Sequence, residues 1–118
     1  MAQSFRIVSR QIHGRVPHNF NTPIIRSSQA VVHITASQIA PGPPDEITGP
    51  AGLTNQNFLY FIGAANIWVS NVSPHFRSHF PDEPGGVEYV VNVDFPKPLD
   101  VGITITIEDQ TPVSVQQL

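Results

Sequence analysis

The sequence predicts an all-β fold: a single immunoglobulin-like antiparallel β-sandwich of about seven or eight strands, with a small jelly roll or barrel as the alternative. Three observations predict it. Apolar and polar residues alternate at period two over several segments, which is the mark of strands with one buried face. Proline supplies 12 of 118 residues, roughly twice ordinary usage, and its spread along the chain opposes long helices. No segment repeats its apolar residues at helical spacing over even about ten residues.

Taken in order, Phe5 to Ile12 mixes β-branched and aromatic residues with Arg6 and Arg10 and reads as a strand. Gly14 to Pro23, with His13 and His18 flanking Gly14-Arg15-Val16-Pro17, reads as a basic surface loop. Pro23 to Arg26 would be the eighth strand if it pairs. Ala30, Val32, Ile34 and Ala36 then share one face, opposite Val31, His33, Thr35 and Ser37. The apolar stretch Phe58 to Val72 is interrupted by Gly63-Ala64-Ala65-Asn66, which suits a tight reversal between strands at 58–62 and 66–72. Val87, Tyr89, Val91, Val93 and Phe95 alternate with Glu88, Val90, Asn92 and Asp94. After Pro96-Lys97-Pro98, which extends no ladder, Val101, Ile103, Ile105 and Ile107 alternate again. Val113 to Gln117 reads as a last short strand after the turn signal Asp109-Gln110-Thr111-Pro112.

A length of 118 residues suits one domain spanning 1–118. Only 13% of the residues are charged and the net charge is -3, so no basic surplus exists to neutralise a phosphate backbone. No apolar run is long enough to span a bilayer as a helix. Nucleic-acid and membrane partners are therefore not expected. Cysteine is absent, which removes disulfides, thiolate nucleophiles and thiolate metal sites. Met1 to Arg10 lacks the apolar core of a secretory signal, so a cytoplasmic location is the default expectation. Asn71-Val72-Ser73 matches a glycosylation acceptor and reads as a strand end entering a turn.

Two segments, 40–57 and 73–86, exceed ordinary turns, and long loops inside small domains are often functional. If each strand from residue 30 onward reverses the one before it, both segments and the 109–112 turn share one pole. That pole would gather Asp45, Glu46, His75, Arg77, His79, Asp82, Glu83 and Asp109. His75-x-x-x-His79 followed by Asp82 holds the ligand types of a two-imidazole, one-carboxylate metal site. A short helical turn packing Phe76 and Phe80 onto the sandwich end explains the same spacing without a metal. Trp68, on a strand apolar on both faces, is expected in the core. The alternative is a stacking platform for a sugar ring, supplemented by Tyr60 or Tyr89.

No nucleophile elbow or phosphate loop is present, and the adjacent acidic pairs read as solvated turn residues, so the chain is expected not to be an enzyme. The first functional expectation is a binding or assembly module making protein contacts, above all with copies of itself. Val31 and Val90 on otherwise polar faces support it. The alternatives are a lectin-like carbohydrate-binding module and a small metal-binding protein or metal-dependent enzyme using His75, His79 and Asp82. The expected ligand-binding residues are His75, Arg77, His79, Asp82, Glu83, Asp45 and Trp68, and no cofactor is expected.

Overall fold

The computed structural model of the chain describes residues 2–40, 60, 62–110 and 113–118. They contain six strands and no helix: β1 (Gln3–Ile12), β2 (Gly14–Thr22), β3 (Val32–Gln38), β4 (Asn66–His75), β5 (Gly85–Asp94) and β6 (Leu99–Ile107). Two antiparallel three-stranded sheets result, a first sheet of order β1-β6-β3 and a second of order β2-β5-β4. The arrangement is all-β and consistent with a sandwich.

The strand registers give the fold a simpler description. Gly14 pairs with Val93 while Ile12 pairs with Leu99, so β1–β2 and β5–β6 form one long ribbon that changes sheet at its middle. β3 and β4 extend it on the other side of β6 and β5, with Gln38 against Val101 and Asn66 against Asp94. Two continuous runs, β1–β2 and β5–β6, therefore cross one bend together, and β3 ends and β4 begins beside it. A straight run over residues 3–22 would be about 66 Å long, more than the molecule's greatest extent of 41 Å. The run is doubled back instead, and Phe5 of β1 meets Phe20 of β2 with ring centroids 5.1 Å apart.

The alternation explains why the sheets close face to face. Val101, Ile103, Ile105 and Ile107 on β6 and Val87, Tyr89, Val91 and Val93 on β5 are buried in one cluster. Phe5, Ile7, Val16, Phe20, Val32, Ile34, Ile67 and Val69 pack around it from the flanking strands. Each fully buried Val or Ile contributes about 1.5–3 kcal/mol. Ile25 and Ala30, on the connection from β2 to β3, close the end remote from the bend.

At the bend the ladder stops at His13. Gln11 and Gly14 adopt left-handed backbone, with φ of 53° and 72°, and Phe95–Pro98 loops out of β5–β6. Asp100, 7% exposed, secures this point. It accepts hydrogen bonds from Arg10 Nη1 at 2.8 Å, the Gln11 backbone N–H at 2.9 Å and Gln11 Nε2 at 3.2 Å.

Several expectations change. The count is six strands. Residues 14–22 form a strand in place of the expected loop, because Val16, His18 and Phe20 alternate inward despite Pro17. Pro23–Arg26 and 113–117 pair with nothing among the described residues, and β4 continues through Pro74 to His75. Of 58–62, only Tyr60 and Ile62 are described; Tyr60 makes a single bridge with Ile39. The end of β3 at Gln38 and the start of β4 at Asn66 lie at the same end, so the expected parity of the connections does not hold. Residues 40 and 62, which bracket the 41–59 segment, sit at the bend, whereas 76–84 and 108–110 lie at the opposite end.

Replacing Asp100 with Ala leaves the Gln11 N–H and the Arg10 guanidinium without their partner and should destabilise the fold by about 2–3 kcal/mol. Asp82→Ala, at an exposed position, should change stability by less than about 0.5 kcal/mol. Urea unfolding of the two variants measures both values, and an Asp100→Ala cost as small as that of Asp82→Ala would contradict the role given to the clamp.

Candidate functional site

The outward face of the second sheet is built from residues out of phase with the core. Cross-strand register aligns them in rows: Arg15, Asn92 and Trp68; then Pro17, Val90 and Ser70; then Asn19, Glu88 and Ser73; then Asn21, Gly86 and His75. Trp68 is 49% exposed because Ile67 and Val69, its neighbours in β4, take the inward positions. Its expected burial is corrected: among the described residues β4 is an edge strand, and Trp68 and Val72 on its second face meet solvent.

Hydrogen bonds hold the rows. Asn92 Nδ2 donates to Ser70 Oγ at 3.0 Å and to the Trp68 carbonyl at 3.3 Å. Asn19 Nδ2 donates to Asn21 Oδ1 at 3.0 Å, and Asn19 Oδ1 lies 2.9 Å from His75 Nε2. That direction makes His75 Nε2 the donor and leaves Nδ1 to ligand or solvent. Gly86 lets this chain of side chains cross β5, since a Cβ there would stand 2.8 Å from Asn21 Oδ1 and 2.9 Å from His75 Nε2. A bulge between Ser70 and Ser73, with Asn71 at φ 56°, opens the middle of the face; the acceptor triplet Asn71-Val72-Ser73 lies in this bulge.

Three depressions follow one another along the face. One of about 230 Å³ lies among Arg15, Trp68, Asn92 and Asp94. The next, of about 600 Å³, shares Arg15 and is bounded by Pro17, Asn19, Asn71, Ser73 and Glu88 over Val90. The third, of about 310 Å³, is lined by Asn21, His75, Arg77, Glu83 and Pro84. From Trp68 to His75 the face runs about 23 Å along β4. Its polar lining mixes asparagines, a serine and His75 with charges of both signs: Arg15 between Asp94 and Glu88 toward the Trp68 end, and the Arg77–Glu83 pair at the other.

The expected polar pole is thus divided. His75, Arg77 and Glu83 do come together, with Arg77 Nη1 3.5 Å from Glu83 Oε2 and the guanidinium 4.0 Å above the Phe80 ring. His79 and Asp82 are exposed on the 76–84 turns and do not join them. No helix forms there, and Phe80 stays 47% exposed beneath Arg77. Among the described residues, no three His, Cys, Asp or Glu side chains are placed to hold a metal. Asp45 lies outside the described residues. Trp68 belongs to the same face but to its opposite end. Tyr60 is on the other layer, over Gly102 of β6 and 5.8 Å from the Arg6 guanidinium, and Tyr89 is in the core.

Arg15, Asn19, Asn21, Glu88 and Asn92 are residues of this candidate face that the sequence reading missed. The period-two signal of β2 was present at Val16, His18 and Phe20, but Pro17 and two flanking histidines disguised it as a loop. Beneath the face, Tyr89 Oη lies 3.3 Å from His18 Nδ1 and the rings meet edge to face at 5.3 Å. Burial lowers the His18 pKa and pushes the Tyr89 hydroxyl up to about 12. Compared with protein-family models, curated proteins and solved structures, the chain matches none.

Desolvation of His18 beside Tyr89 gives the fold a pH dependence whose sign follows from the lowered pKa. Because the folded state binds the His18 proton less well than the unfolded chain, its contribution is complete above the ordinary value of 6.5 and is lost as the pH falls below it. The unfolding free energy of the native chain should therefore drop more steeply between about pH 7 and pH 5 than that of His18→Asn. Equal slopes in chemical denaturation would contradict the assignment.

Proposed function

We propose that the chain is a non-enzymatic binding module whose outward second-sheet face takes an extended, neutral saccharide chain. The half-exposed Trp68, set in a row with Asn92 and Arg15 on a face of amides and hydroxyls, is the observation that carries this reading. An indole on a sheet face offers a flat apolar surface for the C–H side of a pyranose. The side-chain amides of Asn92, Asn71 and Asn19 and the carboxylates of Asp94 and Glu88 supply the donors and acceptors that ring hydroxyls need. A line of shallow depressions suits a polymer better than a compact ligand, which wants an enclosed cavity. Three carboxylates against two arginines along the face leave no positive surplus for a polyanion.

Trp68 is the only tryptophan in the chain, so its fluorescence reports on the site directly. Titration with neutral oligosaccharides of increasing length should quench or shift the emission, with affinity rising over the first few sugar units. Trp68→Ala, followed by calorimetry, should weaken binding by at least about tenfold, or about 1.4 kcal/mol, with an unchanged circular dichroism spectrum. A glycan panel that leaves the emission untouched, or a Trp68→Ala variant that binds as the native chain does, would rule the reading out.

A further inference from the structure

Residues 113–118 lie outside both sheets. Val113, Val115 and Leu118 are 43%, 78% and 116% exposed, and the segment has neither a charged side chain nor a proline. Val113 and Val115 alternate with Ser114 and Gln116, the period-two pattern of a strand. Such a segment gains backbone hydrogen bonds and apolar burial by joining a sheet edge.

The four edges differ in how open they are. β2 carries Pro17, β4 carries Pro74 and the bulge at Asn71, and proline removes a ladder donor. β3 is followed at once by the Ile39–Tyr60 bridge. β1 has no proline, and among the described residues its Gln3–Ser9 stretch pairs only with β6. Its inward residues Phe5 and Ile7 are half-buried at the margin of the core.

Strand direction decides which molecule supplies the segment. Ile107, the end of β6, lies opposite Gln3. Gln110 is then fixed at that end of the molecule: its Oε1 accepts from the Arg26 N–H at 2.6 Å and its Nε2 donates to the Ile24 carbonyl. Residues 113–118 therefore start where β1 starts. Folding back along their own β1, they would run parallel to it. The antiparallel ladder, the more stable of the two, is open only to a segment arriving from another molecule.

We infer that residues 113–118 of one copy add as an antiparallel strand to the edge of β1 that is unpaired among the described residues of a second copy, and that reciprocal exchange gives a two-fold dimer. Val113 and Val115 then cover Phe5 and Ile7. The interface uses an edge of the first sheet and leaves the Trp68 face of the second free, so it stands whether or not that face binds saccharide.

Light scattering on the full chain over a concentration series tests this. The mass should rise from 12.9 kDa toward twice that value. A Val113→Asp, Val115→Asp variant, altered only at exposed positions, should associate roughly a hundredfold more weakly with unchanged circular dichroism. Hydrogen exchange should show β1 amides gaining protection with concentration in the native chain and not in the variant. A native chain that stays monomeric at about 1 mM, a variant that dimerises equally well, or protection appearing on β3 instead of β1 would each overturn the proposal.

Discussion

The carboxylate of Asp100 holds the one point at which both long strand runs, β1–β2 and β5–β6, change sheet, and most other features follow from that point. A left-handed Gln11 costs about 1–3 kcal/mol, so the surrounding contacts must over-determine it. Three hydrogen bonds onto Asp100 do so by fixing both the Gln11 backbone and the Arg10 side chain. Pro96 and Pro98 act on the paired strand, where missing N–H groups force residues 95–98 out of the ladder. Once the ribbon doubles back, the apolar faces of β5 and β6 meet in a single core and the remaining faces are left to water.

The same folding decides what the outward faces carry. On the first sheet, Gly102 lets Tyr60 lie against β6, and Arg10 is committed to Asp100. On the second sheet the edge position of β4 exposes Trp68, and the bulge at Asn71 breaks the flatness of the strand above the His18–Tyr89 pair. Gly86 then allows Asn19, Asn21 and His75 to connect across β5. Backbone irregularities and glycine thus give the second sheet a graded line of depressions, whereas the first keeps a more regular ladder.

Much of the fold was legible in the sequence wherever alternation was uninterrupted. The buried faces of β3, β5 and β6 are those that Val32, Ile34, Val91, Val93, Ile103 and Ile105 announce. β2 was not, because Pro17 and the histidines at 13 and 18 weaken a signal that local propensity alone must carry. The placement of the long segments was lost for a topological reason: strict reversal from each strand to the next puts the end of β3 and the start of β4 at the wrong ends, whereas Gln38 and Asn66 lie together at the bend. Trp68 illustrates a further limit, since two apolar faces on one strand read equally well as a buried central strand and as an edge strand with an exposed aromatic. Cross-strand partners such as Arg15 and Asn92 depend on register, which no single segment contains.

The claim that the second-sheet face is a binding surface is tested most directly by amide and indole chemical shifts during titration with a neutral oligosaccharide. The account predicts that the Trp68 indole N–H and the side-chain amides of Asn92, Asn71 and Asn19 move together with one saturation curve, while Gly102, Thr104 and Thr106 of the first sheet stay in place. Shifts centred on the first sheet, or none on Trp68 at saturation, would contradict it.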